Sequence, residues 1–407
     1  MGRVVNMEVK RISDICLKVC SGGTPNSSVA SYYDGEIPWL NTNEVNFCNI
    51  YSTAKHITEE GLKKSAAKYI PENTIIVAMY GVTAGRCAVT KIPLTTNQAC
   101  CNLVIDETKA HYQYVYYFLK LQSDFLNSLA TGGAQQNLNA LLIKNYSIML
   151  PSLSVQHRIA SILSNYDTLI DINTKRIKLL EESARELYKE WFVRMRFPRY
   201  ETTKFVKGIP EGWKYSSLQS FGRIETGKTP SMKKPEYYGG DYLFIKTPDM
   251  HDSMFVFDTA ETLSEVGNNC QKKKLLPVNS IMVSCIGSTG IGTVAINAKQ
   301  GHTNQQINSI ILYNQEWLTW LYFTCESLKP TIEMYGATGS TMTNLSKGKF
   351  ENLKVIEPTT EIIRQFNRLE SPLFEEIKNL QLQIQYLATT RDRLLPRLLR
   401  GELKLKA

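Results

Sequence analysis

Several features that mark other protein classes are missing from this chain. No apolar run approaches the roughly 20 residues needed to cross a bilayer. The opening Met1-Gly2-Arg3-Val4-Val5-Asn6 has no signal-peptide core, and a cytoplasmic protein without a membrane anchor is expected. The nine cysteines (16, 20, 48, 87, 100, 101, 270, 285 and 325) are odd in number, contain no Cys-x-x-Cys and include the adjacent Cys100-Cys101. That argues against a disulfide framework and a zinc ribbon, and points to reduced thiols in a core. The five histidines are scattered, with no His-x-x-x-His, so no metal site is expected. There is no Asn-Pro-Pro-Tyr or Asp-Pro-Pro-Tyr string, and Ser284-Cys285-Ile286-Gly287 is not a nucleophile elbow. Pro248-Asp249 followed by Glu261-Thr262-Leu263 lacks the lysine a nuclease core would need.

What the chain does contain is a copy of itself. Ser21-Gly22-Gly23-Thr24-Pro25 matches Thr226-Gly227-Lys228-Thr229-Pro230, 205 residues later. Tyr32-Tyr33 then matches Tyr237-Tyr238, Gly81 matches Gly287, Asn97-Gln98 matches Asn304-Gln305, and Pro151 matches Pro358. The offset drifts only from 205 to 207 over a whole half, which chance matching would not sustain. Each half opens with a stretch rich in Gly, Thr, Asn, Tyr and short apolar runs. Thr74–Ala78, Cys100–Ile105 and Ser280–Ser284 read as buried strands, and Tyr112–Leu129 and Trp317–Tyr335 as helices. The expected fold class is α/β, with two similar mixed globules.

Each half closes on a segment almost free of glycine. Ile159, Leu163, Tyr166, Ile170, Asn173, Ile177, Leu180, Ala184, Leu187 and Trp191 are spaced by alternating steps of four and three. Moved by 207, the series becomes Phe366, Glu370, Leu373, Ile377, Leu380, Ile384, Leu387, Arg391, Leu394 and Leu398. A 3.5-residue repeat held for more than four heptads is a coiled-coil seam, so two long antiparallel helices related by a pseudo-twofold axis are expected. Ser154 is the expected N-cap of the first and Phe197-Pro198 its end; Ser371-Pro372 is the expected start of the second after a short helical lead-in, with Pro396 and Gly401 closing it. The stretch 372–395 would rise about 36 Å, close to one turn of B-DNA. The domains expected are 1–153, the helix 154–197, a linker and second globule 198–359, and the helix and tail 360–407.

The net charge of +9 permits a polyanion partner without demanding one. Two like heads on paired helices suggest bipartite DNA binding, with heads free to diverge toward unlike half-sites. The matched turn residues form a scaffold, and the mismatches beside them are the candidate readers. Gly23 opposes Lys228, Asn41 opposes Lys246, Asn43 opposes Pro248, Tyr80 opposes Ile286, Arg86 opposes Ile291-Gly292-Thr293, and Gln135-Gln136 opposes Met342-Thr343. Arg, Lys, Asn and Gln read base edges through paired donors and acceptors. Ser21, Gly22, Thr24, Thr226, Thr229, Thr289 and Thr341 suit phosphate oxygens, and Asn97, Gln98, Asn304 and Gln305 complete the candidate set. The bland alternative is ordinary turn chemistry, which uses the same residues. Gly222-Arg223-Ile224-Glu225-Thr226-Gly227-Lys228-Thr229 matches a P-loop pattern, but Pro230 stands where a helix should begin and the first copy has no such lysine.

In the order of its motifs the chain resembles the specificity (S) subunits of type I restriction-modification systems. The pieces that carry the resemblance are the two Gly-Thr-Pro turns and the Asn-Gln pairs. With them stand Leu150-Pro151-Ser152-Leu153-Ser154-Val155-Gln156-His157-Arg158-Ile159-Ala160 and the closing Leu394-Leu395-Pro396-Arg397-Leu398-Leu399-Arg400-Gly401-Glu402. Glu357-Pro358-Thr359-Thr360-Glu361-Ile362-Ile363-Arg364-Gln365 departs from the family's Pro-x-x-x-Gln-x-x-Ile entry to the second helix. The resemblance implies two target recognition domains, each reading half of an asymmetric bipartite site in double-stranded DNA. It implies helices that set the gap and dock modification (M) methyltransferase subunits, with restriction (R) subunits joining. It also implies that no residue of this chain is catalytic, and that S-adenosylmethionine, ATP and Mg²⁺ belong to the partners. A stand-alone bipartite DNA-binding regulator is the alternative reading.

Overall fold

The computed structural model describes residues 7–129, 138–251, 253–287, 290–336 and 343–403. The chain divides into two compact units. One comprises Met1–Leu169 with Leu387–Ala407, the other Ile170–Tyr386.

The first unit holds a five-stranded sheet in the order Cys16–Ser21, Cys100–Ile105, Ile75–Ala78, Cys87–Thr90, Asn49–Ile50. A three-stranded sheet sets Tyr33–Leu40 between Lys55–Ile57 and Thr95–Thr96, and a ribbon pairs Glu8–Arg11 with Ser147–Leu150. The central strands are apolar throughout because the sheet is covered on both faces. Ile75, Val77, Cys87 and Val89 face the helix Tyr112–Leu121, while Ile76, Ala78 and Ala88 face a second cluster with Leu40 and Val45. The second unit repeats this plan. Its five strands run Gly222–Thr226, Ile307–Leu312, Ile281–Ser284, Val294–Asn297, Phe255–Val256; Tyr238–Ile245 lies between Thr262–Leu263 and Gly301–Thr303; and Lys214–Ser217 pairs with Lys354–Glu357. The duplication is therefore one of topology as well as of letters. The expected strands are present within a residue at their starts. Each expected globule helix is two shorter ones, Tyr112–Leu121 and Ser123–Ser128 in one copy and Leu318–Ser327 and Lys329–Gly336 in the other. None of the nine cysteines is bridged, and Cys87, Cys100, Cys101, Cys285 and Cys325 are buried.

The two long helices are Leu153–Tyr188, continued by a π turn at Lys189–Val193, and Thr360–Leu399. Three boundary expectations need correction. The first helix is entered at Ser152, whose carbonyl accepts from the amides of Val155 and Gln156 at 2.9 and 3.0 Å, so Ser154 already lies inside. The second does not start at Ser371-Pro372 but runs unbroken through it. Ser371, Pro372 and Arg368 are all exposed, so the carbonyl that proline leaves without its intrahelical donor can turn to water. It also passes Pro396 and stops at Gly401 (φ 71°), where Gly401 and Glu402 donate to the carbonyls of Leu398 and Arg397 at 3.2 and 2.9 Å, a Schellman closure.

Inside each unit the two helices run antiparallel. Arg176 reaches Glu376 at 2.7 Å and Asn173 reaches Gln383 at 3.2 Å in the second unit; Asp167 meets Arg391 in the first. Seam residues are buried or half-buried along both helices, Ile159, Leu163, Ile377, Leu380 and Leu398 fully so. Gln156 fastens the first helix to its globule. Its Oε1 accepts from the His111 amide at 2.9 Å and its Nε2 donates to the Pro151 carbonyl at 2.8 Å. The second helix has Ile363 in that place, and Asn367, one turn on, makes the tie instead by donating to the Glu316 carbonyl at 2.5 Å. That explains the altered entry motif.

Candidate nucleic-acid interface

In the first copy the Ser21–Pro25 turn lies against the loop that ends the three-stranded sheet. Gly22 and Gly23 donate to the carbonyls of Cys100 and Thr96 at 3.1 and 2.9 Å. A Cβ on Gly22 would sit 2.2 Å from the Asn97 carbonyl oxygen, so only glycine allows this approach. The Gln98 amide reaches Thr24 Oγ1 at 3.4 Å, Tyr33 donates to the Pro25 carbonyl at 2.7 Å, and Trp39 donates to the Gly23 carbonyl at 2.9 Å. Asn97 is held on both sides: its Oδ1 accepts from the Ala99 amide at 3.1 Å and its Nδ2 donates to Asn41 Oδ1 at 3.3 Å. A third element joins through Thr83, which donates to the Thr42 carbonyl at 2.9 Å. Tyr80 and Arg86 flank the Gly81–Thr83 turn, and Arg86 donates to Asn46 at 2.8 Å.

The second copy builds the same cradle. Gly227 and Lys228 donate to the carbonyls of Ile307 and Thr303 at 3.2 and 2.9 Å, and a Cβ on Gly227 would meet the Asn304 oxygen at 2.1 Å. Tyr238 donates to the Pro230 carbonyl at 2.9 Å, Asn304 accepts from the Gln306 amide at 3.1 Å, and Thr229 donates to Gln305 at 2.6 Å. Lys246 lies next to Ile245, whose carbonyl accepts from the Asn304 amide at 3.0 Å, and its ammonium is paired with Glu261.

A carboxylate clip fixes the variable position in both copies. Glu44 accepts from the amides of Asn41 and Ala54 at 3.1 and 2.9 Å; Asp249 accepts from those of Lys246 and Ala260 at 2.8 and 3.0 Å. The backbone from which Asn41 or Lys246 projects is thus held alike, while the side chain differs.

The structure therefore brings together Ser21, Gly22, Gly23, Thr24, Asn41, Asn43, Tyr80, Arg86, Asn97 and Gln98 in one unit. It does the same for Thr226, Lys228, Thr229, Lys246, Asn304 and Gln305 in the other. Gln135, Gln136, Thr289 and Thr341 lie outside the described residues. Ser21, Thr24, Asn43, Tyr80, Gln98, Lys228 and Gln305 are exposed, whereas Gly23 and Asn304 are buried scaffold. Sequence reading missed the two clips. It also missed Lys233 and Lys234, exposed in the loop that follows Pro230, where the first copy has Ser28 and Val29. The copy-to-copy mismatch was the available signal. The P-loop pattern is not a phosphate loop. Gly222 lies in a ladder opposite Leu312, and a loop and a 3₁₀ turn at Pro235–Tyr237 follow Lys228 instead of an α-helix. Among the described residues no group of three His, Cys, Asp or Glu is placed to hold a metal ion.

A tandem α/β chain with paired helices and duplicated loop cradles defines a class of two-headed recognition proteins. The family model described as type I restriction modification DNA specificity domain matches twice, over residues 4–182 and 210–384, and the chain belongs to that family. It is 29% identical to the type I restriction enzyme MjaIX specificity subunit of Methanocaldococcus jannaschii over 98% of this chain and 94% of that one. It is 33% identical to the HindI specificity subunit of Haemophilus influenzae over 64% of this chain and 70% of the relative. Among solved structures, the type I S subunit from M. genitalium shares the fold, with a TM-score of 0.63 at 16% identity, covering 98% of this chain and 97% of that one.

Proposed function

We propose that this chain reads an asymmetric bipartite DNA site for a type I restriction-modification complex, one half-site per globule. The observation that carries the reading is the twice-built cradle. Turn glycines, tyrosine clamp, asparagine and carboxylate clip recur with matching bonds, while the side chains projecting beside them change from Asn41 to Lys246 and from Gly23 to Lys228. Conserved backbone placement with altered donors and acceptors is what independent readout of two unlike sequences requires. The long helices hold the gap and dock modification (M) methyltransferase subunits, with restriction (R) subunits completing the assembly. Methylation and cleavage are done by those partners, which bring S-adenosylmethionine, ATP and Mg²⁺; this chain binds and positions.

Methylome sequencing of cells carrying the chain with its modification subunit, as wild type and with Asn43→Ala/Arg86→Ala, tests this. The expected result is a methylated bipartite motif in which the variant relaxes one half only. A change in both halves, or binding of a bipartite site with no methyltransferase associated, would overturn it; the latter outcome describes a stand-alone regulator.

A further inference from the structure

A duplicated chain faces a pairing problem. Each half ends in a helix whose far end packs on the other half's globule, and a second molecule offers an almost identical surface. Two equivalent joints show how the halves are told apart.

In the second unit Arg185, on the first long helix, grips Glu326 of the globule helix Leu318–Ser327. Its Nε and Nη2 donate to the two carboxylate oxygens at 3.1 and 3.2 Å, and Tyr322 adds a hydroxyl at 3.3 Å. The offset of 206 that relates the globule helices places Lys120 at the position of Glu326, and the offset of 207 places Asp392 at that of Arg185. In the first unit Lys120 lies half-buried in the field of Asp167 and Asp392, above the ring of Phe47 at 5.6 Å. Base on the helix and acid on the globule have become acid on the helix and base on the globule.

The surroundings differ in kind too. Asp167 accepts from Tyr117 and from Arg391 at 2.5 Å each, and Arg391 also holds Asp392 at 2.9 Å. The equivalents of Tyr117, Asp167 and Arg391 are Phe323, Phe374 and Ala184, all buried, with the two phenyl rings packed edge to face at 5.7 Å.

We propose that this reversed polarity is a pairing code, by which each helix end fits the globule of the opposite half and refuses a second copy of its own. Two first halves would set Arg185 against Lys120 and leave Asp167 facing Ala184. Two second halves would set Asp392 against Glu326 and Arg391 against Phe374. Like charges in half-buried joints and a carboxylate without its cation both oppose such pairing. The partner this surface accepts is an unlike half of the same polarity, its own or one supplied by a related chain.

The test uses the full chain in urea unfolding, with no DNA present. Exchanging only the helix charges (Arg185→Asp with Asp392→Arg) makes both joints like-charged, and the unfolding constant should rise at least about tenfold. Adding Lys120→Glu and Glu326→Lys rebuilds both joints with polarity exchanged, and should return the constant to within about threefold of wild type. A double variant as stable as wild type, or a fourfold variant no better than the double, overturns the code. If the double variant does not fold, the fourfold variant alone decides: folded supports the code, unfolded overturns it.

Discussion

Glu370 gives the sharpest quantitative test of the helix packing. It is 0% exposed in the seam of the second long helix, and neither carboxylate oxygen has a hydrogen-bond partner among the described residues. Burial lifts its carboxyl from an ordinary 4.5 to about 7. The first copy shows what the position tolerates, since the residue 207 earlier is Leu163, also 0% exposed. Glu370→Leu should therefore stabilise the second unit, by an amount that depends on pH. A carboxyl whose folded value lies above its unfolded one costs nothing extra below the unfolded value. The cost grows as pH rises from 4.5 toward 7, while the unfolded chain ionises and the folded chain does not, and it levels off above that. At about 1.36 kcal/mol for each tenfold change, the advantage of leucine should widen by roughly 2.5 kcal/mol from pH 5 to pH 8. Urea titrations of both proteins at pH 5, 6, 7 and 8 measure it directly, with Glu370→Gln as the variant that removes the titration and keeps the amide-sized polar group. A gap that stays constant with pH would show that the carboxylate is not desolvated and would refute the reasoning.

Three other outcomes follow from the same contacts. Asp167→Ala should destabilise the first unit by about 3–4 kcal/mol, because Arg391 and Tyr117 lose their acceptor in a mostly buried site; urea midpoints check it. Gly22→Ala should abolish recognition of one half-site, since the added methyl collides with the Asn97 carbonyl, and Gly227→Ala should abolish the other; methylation assays on sites with each half altered distinguish them. Arg86→Ala or Lys246→Ala should weaken DNA binding and, where the side chain reads a base, relax one position by about 1–3 kcal/mol with thermal stability little changed; binding to a panel of single-base site variants measures it.

Much of the architecture was legible because the turns need residues that cannot be exchanged. Gly22 and Gly227 must be glycine to approach Asn97 and Asn304, so the register between copies survives where the rest of the loop drifts. The helix seams were visible because their periodicity is imposed by packing along every turn. Boundaries were less so. Pro372 looked like a start, yet whether proline breaks a helix depends on which face it occupies, and its exposed side lets the free carbonyl meet water. Two-residue strands such as Asn49–Ile50 are made by their partner, Cys87–Thr90, and carry no pattern of their own. The Glu44 and Asp249 clips join amides ten or more residues apart, and the Glu326 and Lys120 joints bring together residues from opposite halves of the chain; pairings so distant leave no mark on local sequence.

The first unit is assembled from the two extremes of the chain, Met1–Leu169 and Leu387–Ala407. A ribosome must therefore add the 217 residues Ile170–Tyr386 before the closing piece exists. At about 5–20 residues per second that interval is roughly 10–40 s. Throughout it the nascent early globule carries Ile159 and Leu163 without the leucines at 395, 398 and 399 that later share their core. Premature termination within the last few dozen codons would thus damage the earliest-made half of the molecule, and a chaperone that shields the emerging chain would be needed most at its beginning.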